Sequence, residues 1–398
     1  MINPSANGWI DKFFLEQRPA FKVSDPDAFY RKIRESGFIY GHIIGFDTPK
    51  KIDASNWLHD EISKTALLNI LYQTFCLTTS TDDPKEFIAQ AVSFYNEMNP
   101  QGFNIFRKML PEHPPAMHLE KVIDERVDTN DNIISKNFSH ILTNALLFID
   151  VLAFQQYLTH GKIPDKYLKK IEETVINVVT LALKTKSNKS QHDTLLIKLF
   201  EASVRYSKFS KVDIQDIETL ELDYFNNELE KYYIVDMAGL ALWSDGIVEK
   251  DEAYFLHTLA PNIAVPDAFV TESITSTHAF ITTYKAEIPY FNYSNPVKHF
   301  YDQTTQLVIT LINRNKKRLV KEISESKELM VLLATSTTRD LDKSEKKKVK
   351  KQLLDICKSI PSLTIFLIPG GSLLLPILVK FIPQMLPSSF NENLEEEE

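Results

Sequence analysis

Apolar residues recur at helical spacing along most of the chain, in runs separated by short polar or proline-rich stretches. Asp25–Phe46 opens on cap-like aspartates and reads on as one helix, with Gly37, Gly41 and Gly45 at i, i+4 and i+8 along a single packing face. Its apolar part runs about nine residues where a membrane span needs roughly 20, so the glycines read as a notch in a soluble core. Further helices are predicted over Ala54–Leu77 and Pro84–Met98, before a proline-rich connector at Met109–His118 and a polar stretch around Asp124–Asn137. Asn137–Leu158 is the most apolar run of this half, but it carries Asn144, Asp150, Gln155 and Gln156, which marks a buried core helix and not a span. Tyr167–Leu183, Leu195–Tyr206 and Ile214–Glu230 continue the helical pattern, with a loop at Thr185–Asp193. Residues 1–230 are thus expected to form a multi-helix domain that names no function of its own.

The segment Ile234–Ala260 has a different character. An apolar helix ends near Trp243, Ser244-Asp245-Gly246 makes a turn, and Glu249–Glu252 places acidic residues in the first turn of the next helix, where they complement its dipole. The spacing of Asp245, Gly246 and Glu252 matches the second half of an EF-hand loop. The first half fails, because Ala241 and Trp243 stand where that loop supplies oxygen ligands. The same residues, Asp245-Gly246-Ile247-Val248 through Glu252 after an Ala/Trp helix end, resemble the TerB-like domain of tellurite resistance. That resemblance is assigned to 231–300, and it implies a divalent cation at Asp245 and Glu252. The alternative is a plain helix–turn–helix with a solvated acidic face.

Composition sharpens the fold class. Glycine supplies 10 of 398 residues, about 2.5% against a usual share of roughly 7%. Strand-rich folds need many tight turns with positive φ, so an all-α protein is expected. The net charge of −8 argues against a general nucleic-acid binder. Cys76 and Cys357 form no CxxC pair, which fits a reducing compartment without disulfide or zinc knuckle. The N-terminus lacks a basic start followed by an apolar core, so no secretory signal is expected. No GxGxxG, GxxxxGK[ST], HExxH or GxSxG occurs, and His113 with His118 lacks the partners of a metal site. The expectation is a protein that is not an enzyme and holds no cofactor, the divalent cation aside.

The richest pattern lies towards the C-terminus. A helix bearing Leu329, Met330, Leu332 and Leu333 leads to a second helix, opened by Ser344 with Glu345 and crowded with Lys346, Lys347, Lys348, Lys350 and Lys351. The 20-residue run Leu363–Ile382 follows, charged only at Lys380 near its end, where a long side chain snorkels. Pro361, Pro369, Pro376 and Pro383 interrupt it, with Gly370-Gly371 and Ser372 near its middle. Proline removes an amide donor and disfavours helix before it, so a kinked span or a re-entrant pair of short helices is expected, with a hairpin buried in a soluble core as the alternative. Together with Lys343 and Lys358, the lysines lie within about 20 residues of that run and read as an anchor to anionic headgroups. No aromatic residues interleave them, which argues against nucleic acid.

This ending resembles the LETM family, the leucine-zipper/EF-hand transmembrane proteins. The resemblance rests on Leu341-Asp342-Lys343-Ser344-Glu345 with the lysines, Asp355, Pro361, Leu373-Leu374-Leu375-Pro376, Lys380-Phe381, Pro383 and Met385-Leu386-Pro387-Ser388-Ser389-Phe390. The layout, with a LETM-like segment over 301–390 and an acidic tail at 391–398, is similar to LETM-related proteins of flavobacteria of a biofilm-associated type. Transporting members carry an acidic residue where this chain has Ser372, and the family's ribosome-binding domain follows the last motif, so neither proton-coupled exchange nor ribosome binding is expected. The resemblance implies a non-enzymatic protein on the cytoplasmic face of the inner membrane, acting in envelope or ion homeostasis or in scaffolding. Its partners would be membrane lipid and an unidentified protein. A homo-oligomeric cation-transport component, with its break at Pro369-Gly370-Gly371, and a soluble TerB-like metal-binding or ribosome- or protein-binding adaptor are the alternatives.

Overall fold

A computed structural model describes residues 2–17, 25–98, 114–127, 145–185, 216–243, 250–288, 312, 315–339, 341–360 and 363. Among them every regular element is helical and none is a strand. The chain divides into two compact units, one of residues 1–53, 59–129 and 138–293, the other of 54–58, 130–137 and 294–398.

The larger unit contains α1 (Trp9–Glu16), α2 (Pro26–Glu35), α3 (His59–Thr79), α4 (Pro84–Met98), α5 (Pro115–Val127), α6 (Phe148–His160), α7 (Tyr167–Thr185), α8 (Glu228–Leu242), α9 (Lys250–Asn262) and α10 (Asp267–Tyr284). Two helices are apolar on nearly every side and each becomes the axis of a cluster. α3 packs against α4, α5 and α6, and α8 packs against α2, α7, α9 and α10, with α6 against α7 joining the two clusters. Phe13, Phe75, Phe87, Phe94 and Phe154 fill the first, while Tyr30, Phe148, Tyr233 and Phe269 lie within or beside the second.

Polar side chains inside the apolar runs are paired with one another. On α6, Asp150 is fully buried and accepts from Arg126 Nε of α5 at 2.6 Å and from Tyr95 of α4 at 3.2 Å. Gly8 N and Ile10 N at the start of α1 both donate to Glu120 of α5, at 3.0 Å each, so a distant carboxylate caps that helix. Burial raises the pKa of Glu120, and the two amides work against that shift.

Several expectations fail in this unit, and the helix predicted from Ala54 begins only at His59. The helix predicted over Asp25–Phe46 stops at Glu35. Gly37 and Gly41 adopt φ of 80° and 72°, and Gly37 turns the chain by donating to Arg34 O at 2.9 Å. Two of the three glycines therefore serve positive φ instead of a packing notch. Nor do residues 217–230 form one helix. Short 3-10 turns at Ile217–Thr219 and Leu222–Tyr224 lead to Asn227, whose extended backbone and reciprocal bonding with Glu230 start α8 afresh. His118, assigned to a loop, lies on α5. Leu195–Tyr206 and His113 lie outside the described residues.

In the smaller unit, helical residues 315–325 precede α11 (Lys327–Thr338) and α12 (Lys343–Ser359). Leu319, Ile323, Leu329, Leu333, Val349, Leu353 and Ile360 belong to one apolar core, with Leu58 packed on its edge. α11 and α12 run antiparallel: Ser326 donates to Gln352 at 2.9 Å, and Gln352 and Lys348 both donate to Glu328, at 2.7 and 2.8 Å.

Candidate functional site

The lysine-rich helix α12 is built from a sharp start. Asp342 is its N-cap and accepts from Glu345 N at 2.8 Å, while Glu345 accepts from Asp342 N at 2.8 Å. The cap falls two residues before Ser344, which sequence patterning had placed at the opening. Arg339 reaches the same Glu345 carboxylate with both terminal nitrogens, at 2.8 and 2.7 Å. Those bonds, the Asp342 amide and the nearby positive charges hold the Glu345 carboxyl down to about 2.

Val349, Leu353, Ile356 and Cys357 face the core, and every lysine of the helix is exposed. Lys343, Lys347 and Lys351 stand at i, i+4 and i+8, so they rise about 6 Å per step along one line. Lys350 lies next to that line and Lys346 between it and the core face. Lys348 is engaged with Glu328, and Lys358 with Asp355 at 2.7 Å. Lys343, Lys346, Lys347, Lys350 and Lys351 make no ion pair among the described residues. Five positive charges thus face outward on one helix.

The other predicted positions divide differently. Of 363–382 only Leu363 is described, and it is buried in the core of the smaller unit. Pro369, Gly370, Gly371, Ser372, Pro376, Lys380 and Pro383 lie outside the described residues, and among those described no helix is long and apolar enough to cross a membrane. Asp245 is likewise outside them, as is the Glu252 side chain, although α9 includes its backbone. Among the described residues no three His, Cys, Asp or Glu come together as a metal group. Cys357 is buried and its thiol is pushed up to about 12, which leaves it protonated and inert.

Sequence reading missed the polar cleft at the start of α8, formed by Gln156, Tyr167, Tyr224 and Glu230. Its residues come from three separate stretches of chain, and Gln156, one of the polar residues noted in the apolar run 137–158, was the one visible trace.

A family model described as LETM1-like, RBD matches residues 341–398, a span that starts one residue before the α12 cap. The chain therefore ends in a LETM-related segment. The match includes the motifs themselves, whereas the resemblance had placed the domain of that label beyond Phe390. No curated protein and no solved structure matches the chain.

Proposed function

We propose that this is a non-enzymatic, membrane-associated protein of LETM-related type that docks on anionic lipid through α12 and embeds the apolar run that follows Leu363, up to Ile382, with Leu363 itself held in the core of the smaller unit. The supporting observation is the set of five exposed lysines, Lys343, Lys346, Lys347, Lys350 and Lys351, which make no ion pair among the described residues and precede the apolar run. Each lysine near an anionic surface contributes about 1 kcal/mol, so five give a preference of several thousandfold, on the order of 10³–10⁴, over neutral lipid. The helical unit before it would sit on the cytoplasmic face of the inner membrane and serve scaffolding or envelope and ion homeostasis, as a biofilm-associated role would need. A TerB-like helix–turn–helix within 231–300 is part of this reading, supported by α8 ending at Leu242 and α9 beginning at Lys250.

The test uses the full chain and vesicles of phosphatidylcholine with or without about a third phosphatidylserine. Binding should require the anionic lipid, fall with salt, and drop at least about a hundredfold when Lys346, Lys347, Lys350 and Lys351 become Gln. The full chain should also resist an alkaline carbonate wash that releases Leu374→Glu/Leu375→Glu. Equal binding to neutral vesicles, or complete release of the unmodified chain, overturns the reading.

The RBD label of the matching family favours a second reading, in which the same lysines meet ribosomal RNA. Lipid-free pelleting with ribosomes, lost in the lysine-to-Gln chain, is its expected outcome.

A further inference from the structure

A cleft of about 420 Å³ opens between the end of α6, the start of α7 and the N-terminus of α8. That volume lies in the range of small-molecule sites. Its polar floor is Glu230, only 2% exposed. Tyr167 Oη and Gln156 Nε2 both donate to Glu230 Oε1, at 2.7 and 2.8 Å, and Asn227 N donates to Oε2 at 3.2 Å. Tyr224 forms one wall, and His160 and Asn226 stand at the rim.

The capping box explains only the bond to Asn227 N. Gln156 and Tyr167 reach in from two other helices to orient the opposite oxygen, which helix initiation does not require. A carboxylate can accept about four hydrogen bonds and three are used, so one acceptor position is left.

The charge balance at the floor points the same way. Glu230 makes no ion pair among the described residues, although a buried carboxylate is costly without a counter-charge. Lys170 lies over the Tyr224 ring at 4.2 Å from its centroid, but its charge is committed to Glu221 at 2.9 Å. Burial raises the pKa of Glu230, while the bonds from Tyr167, Asn227 and Gln156, and less so the charge of Lys231, favour its ionised form. His160 at the rim is exposed and its Nδ1 is bonded to Gln156 O at 3.0 Å. The floor therefore offers negative charge and a free acceptor beside two tyrosine rings.

We propose that this cleft binds a small organic cation, an ammonium or guanidinium group on a flat or apolar body, with Glu230 taking the charge and Tyr224 the body. Tyr167 and Gln156 are positioning residues that fix the carboxylate. An inorganic cation is a poorer fit, because one carboxylate without neighbouring acidic ligands does not build a coordination shell.

The test titrates benzylamine, cationic at pH 7, into the full chain by calorimetry, with benzyl alcohol as the neutral probe of equal shape. The amine should saturate by about 10 mM, as a dissociation constant near 1 mM requires, and the alcohol should give no saturable heat. Glu230→Gln keeps an acceptor for the capping box and should still fold, yet bind the amine at least about tenfold more weakly. Tyr224→Ala removes a half-buried wall and should weaken binding without touching the cap; if Glu230→Gln fails to fold, this variant alone decides. No saturable heat with the amine, equal binding of the alcohol, or unchanged affinity in the folded variants overturns the proposal.

Discussion

Arg34 of α2 and Asp236 of α8 are 202 residues apart in sequence and form a doubly bonded pair in the core, with Nε to Oδ2 at 2.8 Å and Nη2 to Oδ1 at 3.2 Å. They are 3% and 0% exposed. Tyr30 and Ser273 also donate to Asp236, Arg34 Nη1 reaches Glu272 at 2.9 Å, and the guanidinium lies 4.7 Å from the Phe269 ring centroid. Burial opposes the charge on Arg34, and the Asp236 carboxylate together with Tyr30 and Tyr40 outweighs it, so the guanidinium stays protonated. The pair ties α2 and α10 to the α8 axis through one carboxylate.

Asp236→Ala should cost about 3–5 kcal/mol, because it strands a buried guanidinium and two hydroxyls. Asp236→Asn keeps the shape and part of the bonding and should cost less. Urea midpoints of the two variants, read with tyrosine fluorescence, check the order. Equal and negligible losses would show that the pair is not a determinant of stability.

A Cβ on Gly37 would stand 2.0 Å from His42 O and 2.9 Å from the Phe280 ring, at a φ of +80°. Gly37→Ala should therefore destabilise by more than the roughly 1–2 kcal/mol of a left-handed backbone alone. At Gly45 an added Cβ meets nothing within 4 Å and the backbone is ordinary. Gly45→Ala should accordingly be neutral or stabilising by up to about 1 kcal/mol. Thermal melts of the two variants against the unmodified chain make the comparison.

The Glu345 carboxyl, held at about 2 by Arg339 and the Asp342 amide, has a folded pKa below its unfolded value near 4.5. A depressed carboxyl contributes stability above the unfolded pKa, and that contribution fades as pH falls from about 4.5 towards 2. The stability difference between the unmodified chain and Arg339→Gln should thus be present at neutral pH and shrink across that window. Chemical unfolding of both chains at stepwise lower pH measures it. A difference constant down to pH 2 would remove this ion pair from the account.

Much of the helical content followed from local pattern. Pro84–Met98 is helical over the predicted residues, α7 begins at the predicted Tyr167, and the end of α8 near Trp243 was visible in the sequence. These elements are set by helical spacing, by prolines at helix starts and by apolar faces that any neighbour can cover. The lysine helix was legible for the same reason, since solvent-facing charge needs no partner to be recognised. Scarce glycine pointed to the all-helical class that the described residues show.

Other features could arise only from tertiary structure. Gly37 looks like a helical packing notch until His42 and Phe280 close around it, and the restart at Asn227 depends on a Glu230 held from α6 and α7. Asp150, Asp236 and Glu230 are three acidic residues in apolar runs, and their partners come from helices distant in sequence. Local periodicity records which residues leave water, because burial is a property of one face. It holds no record of which buried polar group meets which, because that pairing is decided by helix packing.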